Sequence, residues 1–528
     1  MTTVARVIGR RLHEAGVRYV MGHPGGEVVD LIDGFREEGL EFVLTRHETA
    51  AAFMADAIGA STGIPGVCLG TLGPGATNLV TGVAQAYLDR SPVIALSGQL
   101  PADRYELATH QRLDLGALFA PITKWHARVT AANADDMIAR SLRVSVRPRP
   151  GPVFLEIPSD VPLQEARQRP ADMPAVARAA GFSAGAGQAA ARLLAESRRP
   201  LILAGLDAND GPTAEVLRRF AEEWTIPVMV GPKAKGAFPE DHPLFLGTIE
   251  MFGTSELYRM IDESDLVLMV GFEPVELDRD WAATATIVNL GPLPNDDLYY
   301  RAAAELVGPT REALEALRAA AGAPRAKREL AAIRTLRTSF VERIHPKVAG
   351  MSSQQVLAEL RRVLPKNALV TCDVGYNKAI TGQCWPAYEP KTFFMSNGLS
   401  TMGYGLPAAL GLQLVHPDRV VACVLGDGGF GMLLGEVETA VRRELPVLAV
   451  VLVDAALSQI KLGQERKRIP ATGTTIGAVD YLALAKAFGA EGFVARTPGE
   501  CAEAFRSALA TRRPAIVAAY IDPACYRI

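Results

Sequence analysis

Cysteine is scarce in this sequence of 528 residues, and neither sign of charge is in large excess. The six cysteines are scattered and include no CxxC pair, so we expect neither a zinc site nor a disulfide framework, and a reducing cytoplasm suits the chain best. Lysine and arginine together number 55 against 58 aspartate and glutamate residues, which gives a formal net charge of −3. That balance lacks the basic excess of a nucleic-acid-binding protein, and we expect no nucleic-acid partner.

Long hydrophobic runs are also missing. The longest apolar stretches, such as residues 446–453, have the length of a strand and are too short to span a membrane. Val4, Val7, Ile8 and Leu12 have helical spacing, and the N-terminal segment lacks the uninterrupted apolar region of a secretory signal. We therefore predict a soluble cytoplasmic protein without a membrane partner.

Short apolar runs alternate with longer amphipathic segments throughout the chain, and hydrophobic residues make up 49% of it. This alternation is typical of βα units, so we predict the α/β class, with parallel sheets flanked by helices. Two stretches rich in proline, alanine and charge, residues 163–183 and about 320–350, are predicted linkers. They divide the chain into three predicted domains, the N-terminal block (1–165), the central block (185–325) and the C-terminal block (350–528).

The N-terminal and C-terminal blocks echo one another in sequence. In each, a glycine-rich turn leads into a helix and then into a Pro-Val pair and a buried strand. The first glycine and the proline lie 19 residues apart between Gly73 and Pro92, and 20 apart between Gly426 and Pro446. Two unrelated βαβ units would give the same pattern, so duplication and coincidence both stay open. Only the second copy has an acidic residue within its glycine-rich turn.

Two aspartates follow neighbouring strands of the C-terminal block. Asp427 lies in a Gly-Asp-Gly-Gly turn after one strand, and Asp454 follows the next strand, 27 residues later. Because the carboxyl ends of parallel strands meet at one edge of a sheet, the two carboxylates are expected to face one crevice. They would repel each other without a cation between them, and such oxygen ligands suit Mg²⁺. Either aspartate alone is better explained as a helix cap or a loop residue, but the pair favours a site.

The GDGGF turn, with a strand-terminal acid at this distance, resembles the diphosphate- and Mg²⁺-binding motif of thiamine-diphosphate-dependent enzymes. That family usually has Asn-Asn after the second strand, where this chain has Val453-Asp454. The resemblance implies that Mg²⁺ is bound by the side chains of Asp427 and Asp454 and by the carbonyl of Ala456. It also implies a diphosphate-binding set in the same turn, namely Gly426, Gly428 and Gly429.

Further landmarks of that family follow. Glu48 matches the glutamate that binds the aminopyrimidine ring and favours its imino form, although alone it would be a first-turn helix acid. Met402 matches the apolar wedge that bends the cofactor, although alone it would be a core residue, and the carbonyl of Ser400 matches the acceptor for the exocyclic amine. The DVGYN segment matches residues that pack against the diphosphate, namely Val374, Gly375, Tyr376 and Asn377.

The resemblance covers essentially the whole chain and is nearest to the large, catalytic subunit of acetolactate synthase. It implies a pyrimidine-binding, a central and a diphosphate-binding domain. It also implies a thiamine-diphosphate- and Mg²⁺-dependent decarboxylase or carboligase that acts on a 2-oxo acid or another small acyl donor. A homodimer or homotetramer is implied as well, with each site between the N-terminal block of one chain and the C-terminal block of another.

Several departures from the acetolactate synthases concern the substrate. His110-Gln111-Arg112 stands where that family usually has Phe-Gln-Glu. Four other family residues are replaced: an arginine by Asp103, a lysine by Ser159, an arginine by Leu277 and a tryptophan by Gly463. These changes argue against branched-chain biosynthesis in particular. They also make FAD, which those enzymes carry, a possible but less expected ligand of the central block.

The same departures supply candidate substrate-site residues. His23 and His110 are candidate acid–base groups because histidine titrates near neutral pH, and hydrogen-bonded loop histidines are the alternative for both. Gln111 keeps its family position and is the better candidate.

Two other functions remain open from sequence. One is a C–C lyase of the 2-hydroxyacyl-CoA lyase or oxalyl-CoA decarboxylase type, with a CoA thioester against the central block. The other is a protein that binds thiamine diphosphate without catalysis, which Val453 makes conceivable.

Overall fold

The structure is a computed structural model, and it describes residues 2–167, 182–278, 281, 284–295, 300–323 and 330–527. Within these residues the strands form three six-stranded sheets, one in each block. Every strand pairing in the three sheets is parallel. The predicted fold class is therefore confirmed, while the exact domain limits stay a prediction.

The N-terminal sheet consists of β1 (Tyr19–Gly22), β2 (Glu41–Leu44), β3 (Gly66–Gly70), β4 (Val93–Gln99), β5 (Trp125–Arg128) and β6 (Val153–Pro158). The helices of this block are α1 (Val4–Glu14), α2 (Val29–Glu37), α3 (Glu48–Thr62), α4 (Pro74–Leu88), α5 (Leu115–Phe119) and α6 (Ala134–Val146). The strands lie in the order β2-β1-β3-β4-β6-β5.

The central sheet consists of β7 (Pro200–Ala204), β8 (Val228–Val230), β9 (Phe245–Thr248), β10 (Leu266–Val270), β11 (Thr286–Gly291) and β12 (Ala304–Val307). Its helices are α7 (Ala184–Glu196), α8 (Gly211–Trp224), α9 (Thr254–Asp262) and α10 (Thr310–Ala321). The order β12-β11-β10-β7-β8-β9 means that the chain starts at β7, runs out to one edge, and then returns to β10 on the other side of β7.

The C-terminal sheet consists of β13 (Leu369–Cys372), β14 (Phe393–Met395), β15 (Val421–Gly426), β16 (Leu448–Val453), β17 (Glu491–Ala495) and β18 (Ala515–Tyr520). The helices from the second linker onwards are α11 (Ala331–Arg343), α12 (Ser353–Val363), α13 (Tyr376–Cys384), α14 (Gly405–Val415), α15 (Asp427–Met432), α16 (Glu436–Arg442), α17 (Ser458–Arg466), α18 (Tyr481–Phe488) and α19 (Pro498–Thr511). The order β14-β13-β15-β16-β18-β17 repeats that of the N-terminal sheet, strand for strand. This identity favours two related copies over coincidence.

The two predicted linkers differ in how much of them the structure describes. Most of residues 163–183 lies outside the described residues. The second linker contains α11, whose Phe340 is buried against the core that the central and C-terminal blocks share. That stretch therefore packs against both blocks and does not simply connect them.

Two apolar helices join the outer blocks. α3 is buried without interruption from Ala50 to Gly59, and α14 is buried on all sides from Gly405 to Leu414. A helix that is hydrophobic all round belongs in the interior, and these two pack against each other. At Gly411 the backbones come so close that a Cβ atom would lie 2.6 Å from the carbonyl oxygen of Met54.

The cysteines have the buried, unpaired character expected of small hydrophobic residues. All six are free, and five are buried. Burial raises the pKa of the Cys68 thiol to about 12, so it stays protonated and unreactive. None of the helices in the described part of the chain is long and apolar enough to cross a bilayer.

We expect Gly411→Ala to lower the free energy of unfolding by about 1–3 kcal/mol, because the new methyl group overlaps the Met54 carbonyl and the two helices must move apart. Chemical denaturation measures the loss. Gly499→Ala is the matched control, since Gly499 is also helical but has no atom within 4 Å of its Cβ position. An equal loss in both variants would contradict close packing at Gly411.

Candidate active site

Two carboxylates meet at the carboxyl edge of the C-terminal sheet. β15 and β16 are neighbours, Asp427 begins the helix after β15, and Asp454 follows the last residue of β16. The Asp427 carboxylate accepts hydrogen bonds from the backbone N–H groups of Gly428 (2.8 Å) and Ala455 (2.7 Å). The Asp454 carboxylate accepts from the N–H of Ala456 at 3.1 Å and from the Ser458 hydroxyl. Asp427 is thus no helix cap, since its side chain bridges the ends of both strands.

The pKa values of both carboxylates are raised above their ordinary values. Burial raises the pKa of Asp427, and the charge of Asp454 raises it further. Burial also raises the pKa of Asp454, against the hydrogen bonds that it accepts. A cation at this edge would reverse both effects, because it stabilises the ionised forms.

Both carboxylates open into a cavity of about 290 Å³. It brings together all the residues that the sequence assigned to the C-terminal part of the site: Val374, Gly375, Tyr376, Asn377, Ser400, Met402, Gly426, Asp427, Gly428, Gly429, Asp454 and Ala456. The sequence analysis missed further lining residues, namely Leu452, Leu457, Ser458, Gln459, Ile460 and Tyr526. Those from Leu457 to Ile460 belong to the turn that starts α17, directly after Asp454, and a helix predicted there would have indicated them. Nothing in the sequence pattern indicated Tyr526, which stacks on Tyr376.

The glycines of this turn are needed for space. A Cβ at Gly428 would lie 2.8 Å from Leu457 and 3.3 Å from the Met402 methyl group. A Cβ at Gly429 would lie 2.8 Å from the buried carboxylate of Asp373. Both positions therefore need glycine, because a side chain at either would collide with other atoms of the protein.

Ser400 and Met402 lie in a loop between β14 and α14, residues 396–404, which we call the wedge loop. Ser400 has a left-handed backbone (φ 52°), and its hydroxyl accepts from the Lys378 ammonium at 2.9 Å. The Asp373 carboxylate accepts from the N–H of Gly403 at 3.0 Å, and burial raises its pKa to about 6. Met402 is only half-buried and lines the cavity, so it is not a core residue.

A buried ion pair from the other two blocks fastens the wedge loop. The Lys233 ammonium of the central block lies 2.9 Å from the carboxylate of Asp89, which follows α4, and neither side chain is more than 7% exposed. Asp89 also accepts from the N–H groups of Asn397 (3.1 Å) and Gly398 (2.6 Å), and Lys233 donates to the Met395 carbonyl at 3.1 Å. One pair of charges therefore connects all three blocks at the base of this loop.

Glu48 lies at the carboxyl edge of the N-terminal sheet. It is the first residue of α3 and is 8% exposed. Its carboxylate accepts from the Asn78 amide at 2.9 Å, and it lies 3.3 Å from the Cβ position of Gly75. Glu48 is thus an acid in the first turn of its helix, as expected without a catalytic role. In addition, its carboxylate is held in one orientation by a side chain of the next helix.

The candidate substrate residues lie near the same edge. The ring of His23 is exposed, with Nδ1 2.9 Å from the Thr45 carbonyl oxygen. His110 is exposed in the loop after β4. Gln111 has a left-handed backbone (φ 56°), and its side chain packs against Gly73 at the start of α4. The structure thus places Gln111 beside the glycine-rich turn, while the two histidines remain surface groups in the single chain.

The residues that line the 290 Å³ cavity all come from the C-terminal block, whereas the contacts of Glu48 lie in the N-terminal block. The contacts of Glu48 that the structure describes therefore include none of the residues that line this cavity.

Models of one enzyme family match this chain in three consecutive parts. They are described as the N-terminal TPP binding domain (residues 2–118), the central domain (188–317) and the C-terminal TPP binding domain (373–519) of thiamine pyrophosphate enzymes. This chain belongs to the thiamine-diphosphate-dependent enzymes. The predicted family and the cofactor thiamine diphosphate are thereby confirmed, while the roles of individual site residues stay predictions.

Similar proteins place this thiamine-diphosphate enzyme within the family. A probable acetolactate synthase large subunit from Methanocaldococcus jannaschii is 32% identical, over 98% of this chain and 92% of that protein. An acetolactate synthase from Bacillus subtilis is 30% identical, over 97% and 92% respectively. A catabolic acetolactate synthase from Raoultella terrigena is 31% identical, over 98% and 95%. The chain is thus an acetolactate-synthase-like member of the family over essentially its whole length.

For this enzyme we expect Asp89→Asn to lower the free energy of unfolding by about 3–5 kcal/mol, because the buried Lys233 ammonium loses the only carboxylate that it contacts directly among the described residues. It should also weaken thiamine diphosphate binding, because the wedge loop loses its anchor. Chemical denaturation and calorimetric titration with the cofactor and Mg²⁺ measure the two effects.

Two comparisons make this prediction specific. The double variant with Lys233→Met should recover part of the lost stability, since the buried ammonium that lost its direct partner is then absent. Arg362→Ala, which removes an exposed pair with Glu359, should change stability by less than about 0.5 kcal/mol. Strictly additive losses at Asp89 and Lys233 would show that the pair is not coupled.

Proposed function

We propose that this enzyme decarboxylates a 2-oxo acid and joins the remaining acyl carbon to a second carbonyl compound, with Mg²⁺ as its second cofactor. The observation that supports this most directly is the joint lining of one cavity by Asp427, Asp454, Ser400 and Met402. The similarity to acetolactate synthases over the whole chain supports the carboligase outcome over plain decarboxylation. The reducing cytoplasm remains the proposed compartment, in keeping with the free thiols.

The donor set suits Mg²⁺. The described residues contain no group of three or more His, Cys, Asp or Glu side chains arranged to hold a metal ion. Two carboxylates therefore need other oxygen ligands, and Mg²⁺ commonly completes its shell with a carbonyl, a phosphate and water. We propose Asp427, Asp454 and the Ala456 carbonyl as the protein ligands, with Gly426, Gly428 and Gly429 around the diphosphate. A hard cation also relieves the repulsion between the two carboxylates.

Thiamine diphosphate supplies, when bound, the carbanion chemistry that attacks a 2-oxo acid and stabilises the charge left by the departing CO₂. The protein binds and orients the cofactor and the substrate, and its side chains transfer protons. In our proposal the Glu48 carboxylate holds a proton at a pyrimidine nitrogen, and the Ser400 carbonyl accepts from the ring amine. Met402 would pack against the bound cofactor, and Leu457 and Ile460 line the same cavity.

The substrate is proposed to differ from that of the branched-chain enzymes. Gly463 lies on α17 one turn beyond Gln459 and Ile460, and a Cβ there would meet nothing within 4 Å. We propose that this open space widens the approach to the cavity. Arg112 does not offer a free charge to a substrate, since its guanidinium donates to the carbonyls of Tyr105 and Glu106. Gln111 stays the proposed polar contact, and His23 and His110 stay candidate acid–base groups.

The site is proposed to form between two chains of a homodimer or of a tetramer built from such dimers. Glu48 is not among the residues that line the C-terminal cavity of the same chain, which supports this arrangement, because both ends of the cofactor must be held at once. A twofold axis would then create two equivalent sites.

Asp454→Ala should raise the Mg²⁺ concentration needed for half-maximal cofactor binding by at least about tenfold, because one charged ligand is lost. Calorimetric titration of thiamine diphosphate at a series of Mg²⁺ concentrations measures this. Asp418→Ala, which changes an exposed turn residue, is the control. An unchanged Mg²⁺ requirement in Asp454→Ala would mean that the metal lies elsewhere.

A mixing experiment tests both the mechanism and the shared site. Glu48→Gln alone should reduce CO₂ release from a panel of 2-oxo acids by about 10²- to 10⁴-fold, since the proton relay is lost. Co-expression of equal amounts of Glu48→Gln and Asp454→Ala chains should restore about a quarter of wild-type activity, because half of the dimers are mixed and each of these has one intact site. Products are identified by mass spectrometry.

The outcomes separate the alternatives. If Glu48→Gln retains full activity, the proposed role of Glu48 is wrong. If the mixture shows no recovery although mixed dimers are isolated, each site lies within one chain. If the wild type binds the cofactor but releases no CO₂ from any 2-oxo acid, the non-catalytic alternative or a CoA-dependent lyase replaces this proposal.

A further inference from the structure

The central sheet has the strand order of a dinucleotide-binding fold. Counted along the central block, the order β9-β8-β7-β10-β11-β12 is 3-2-1-4-5-6. In such sheets a nucleotide binds at the carboxyl ends of the two middle strands, here β7 and β10, and its diphosphate takes backbone N–H groups at that edge. The fold alone would therefore allow FAD in this block.

That edge is already occupied by a side chain of the protein itself. Glu276 ends a short 3₁₀ turn (Pro274–Glu276) after β10 and is 0% exposed. Its carboxyl group accepts from the N–H of Leu206 at 2.8 Å, just after β7, and from the N–H of Lys233 at 3.2 Å, just after β8. It also accepts from the N–H of Glu273 at 3.3 Å. These are donors that a diphosphate at the switch point would need.

The glycines around this carboxyl group show how tightly it is held. A Cβ at Gly205 would lie 2.6 Å from one Glu276 oxygen, and a Cβ at Gly231 would lie 2.1 Å from the other. Glycines that would let a ligand approach the backbone therefore surround an internal acid. The remaining cavity beside Phe272 and Asn289 has a volume of only about 20 Å³, which is room for a single water molecule.

A larger cavity of about 260 Å³ touches the same edge at Leu206 and Lys233. It does not restore the nucleotide site, because the N–H groups of those two residues already bind Glu276. Its lining has as many basic as acidic residues, Arg90, Lys233 and Lys391 against Asp89, Asp207 and Asp210, so it offers a phosphate no net positive charge.

We propose that Glu276 takes the place of a dinucleotide diphosphate in the central block, and that this enzyme works without FAD. The residues at the switch point do not fit a flavin nucleotide, because the carboxyl group fills the position and uses the donors. Glu276 also connects this closed crevice to the active site. It accepts from the N–H of Lys233, whose ammonium pairs with Asp89 beneath the wedge loop.

The first test measures nucleotide binding by the purified holoenzyme. We expect no stoichiometric flavin in the absorbance spectrum of the denatured wild type, no saturable binding of added FAD or ADP, and full activity with thiamine diphosphate and Mg²⁺ alone. Wild-type enzyme that retains FAD, or that requires it for activity, would overturn the proposal. This outcome is independent of which 2-oxo acid is used.

Variants test whether Glu276 is the cause. Glu276→Ala, shown to be folded by circular dichroism, should gain measurable ADP binding, whereas Glu276→Gln, which keeps the side-chain shape, should not. A folded Glu276→Ala enzyme that still binds no ADP would contradict the proposal that the Glu276 carboxyl group closes the crevice between β7 and β10.

A double-mutant cycle keeps the proposal testable if nucleotide binding in the variant is weak. Gly231→Ala should lower the melting temperature in the wild type, because its methyl group collides with the carboxyl group. The same change should cost much less in the Glu276→Ala background. Equal losses in both backgrounds would place Glu276 elsewhere and refute the inference.

Discussion

The arrangement of the three blocks depends on one buried ion pair, Asp89 with Lys233. Two charges taken out of water cost more than their attraction returns unless other polar groups satisfy them. Here the carboxylate accepts two backbone N–H groups of the wedge loop, and the ammonium donates to a backbone carbonyl of the strand before it. The pair is therefore stable only when the C-terminal block lies against the other two in one particular way. That requirement fixes the loop which carries Ser400 and Met402.

Buried acids on backbone N–H groups recur at the edges of the central and C-terminal sheets, with different consequences. Asp373 and Glu276 each accept several N–H groups and form no ion pair in the part of the chain that the structure describes, and burial raises their pKa values to about 6 and about 8. They serve as internal anions that order turns. Asp427 and Asp454 differ because they face each other across one cavity, so their repulsion is not relieved by N–H groups alone. The same residue type is thus structural when single and indicates a metal site when paired.

The features that could be predicted from the sequence are those that depend on the pattern of neighbouring residues. The strands, the parallel sheets and the position of Asp427 and Asp454 follow from periodicity and from the rule that strand ends share an edge. Glu276 could not be identified, because its partners Leu206 and Lys233 lie 70 and 43 residues away and no spacing links them. Asp89 and Lys233 were missed for the same reason. In the sequence, Leu277 stands out only because it replaces a family arginine, and Glu276 is the residue directly before it.

The equal strand order of the outer sheets helps to explain why their residues had to diverge. If both outer sheets carried an aspartate pair, each pair would need its own cation. Neither sheet would then present a free carboxylate to the aminopyrimidine ring of the cofactor. Instead only the C-terminal copy has the pair, while the N-terminal copy has a glycine-rich turn without an acid and a single Glu48 held by Asn78. Within one chain the copies are joined through α3 and α14, and the cavity of the C-terminal copy is lined by that copy alone. A second chain related by a twofold axis can present its N-terminal copy to that cavity. In the proposed arrangement, divergence of the copies and pairing of the chains would both follow from holding one cofactor by both ends.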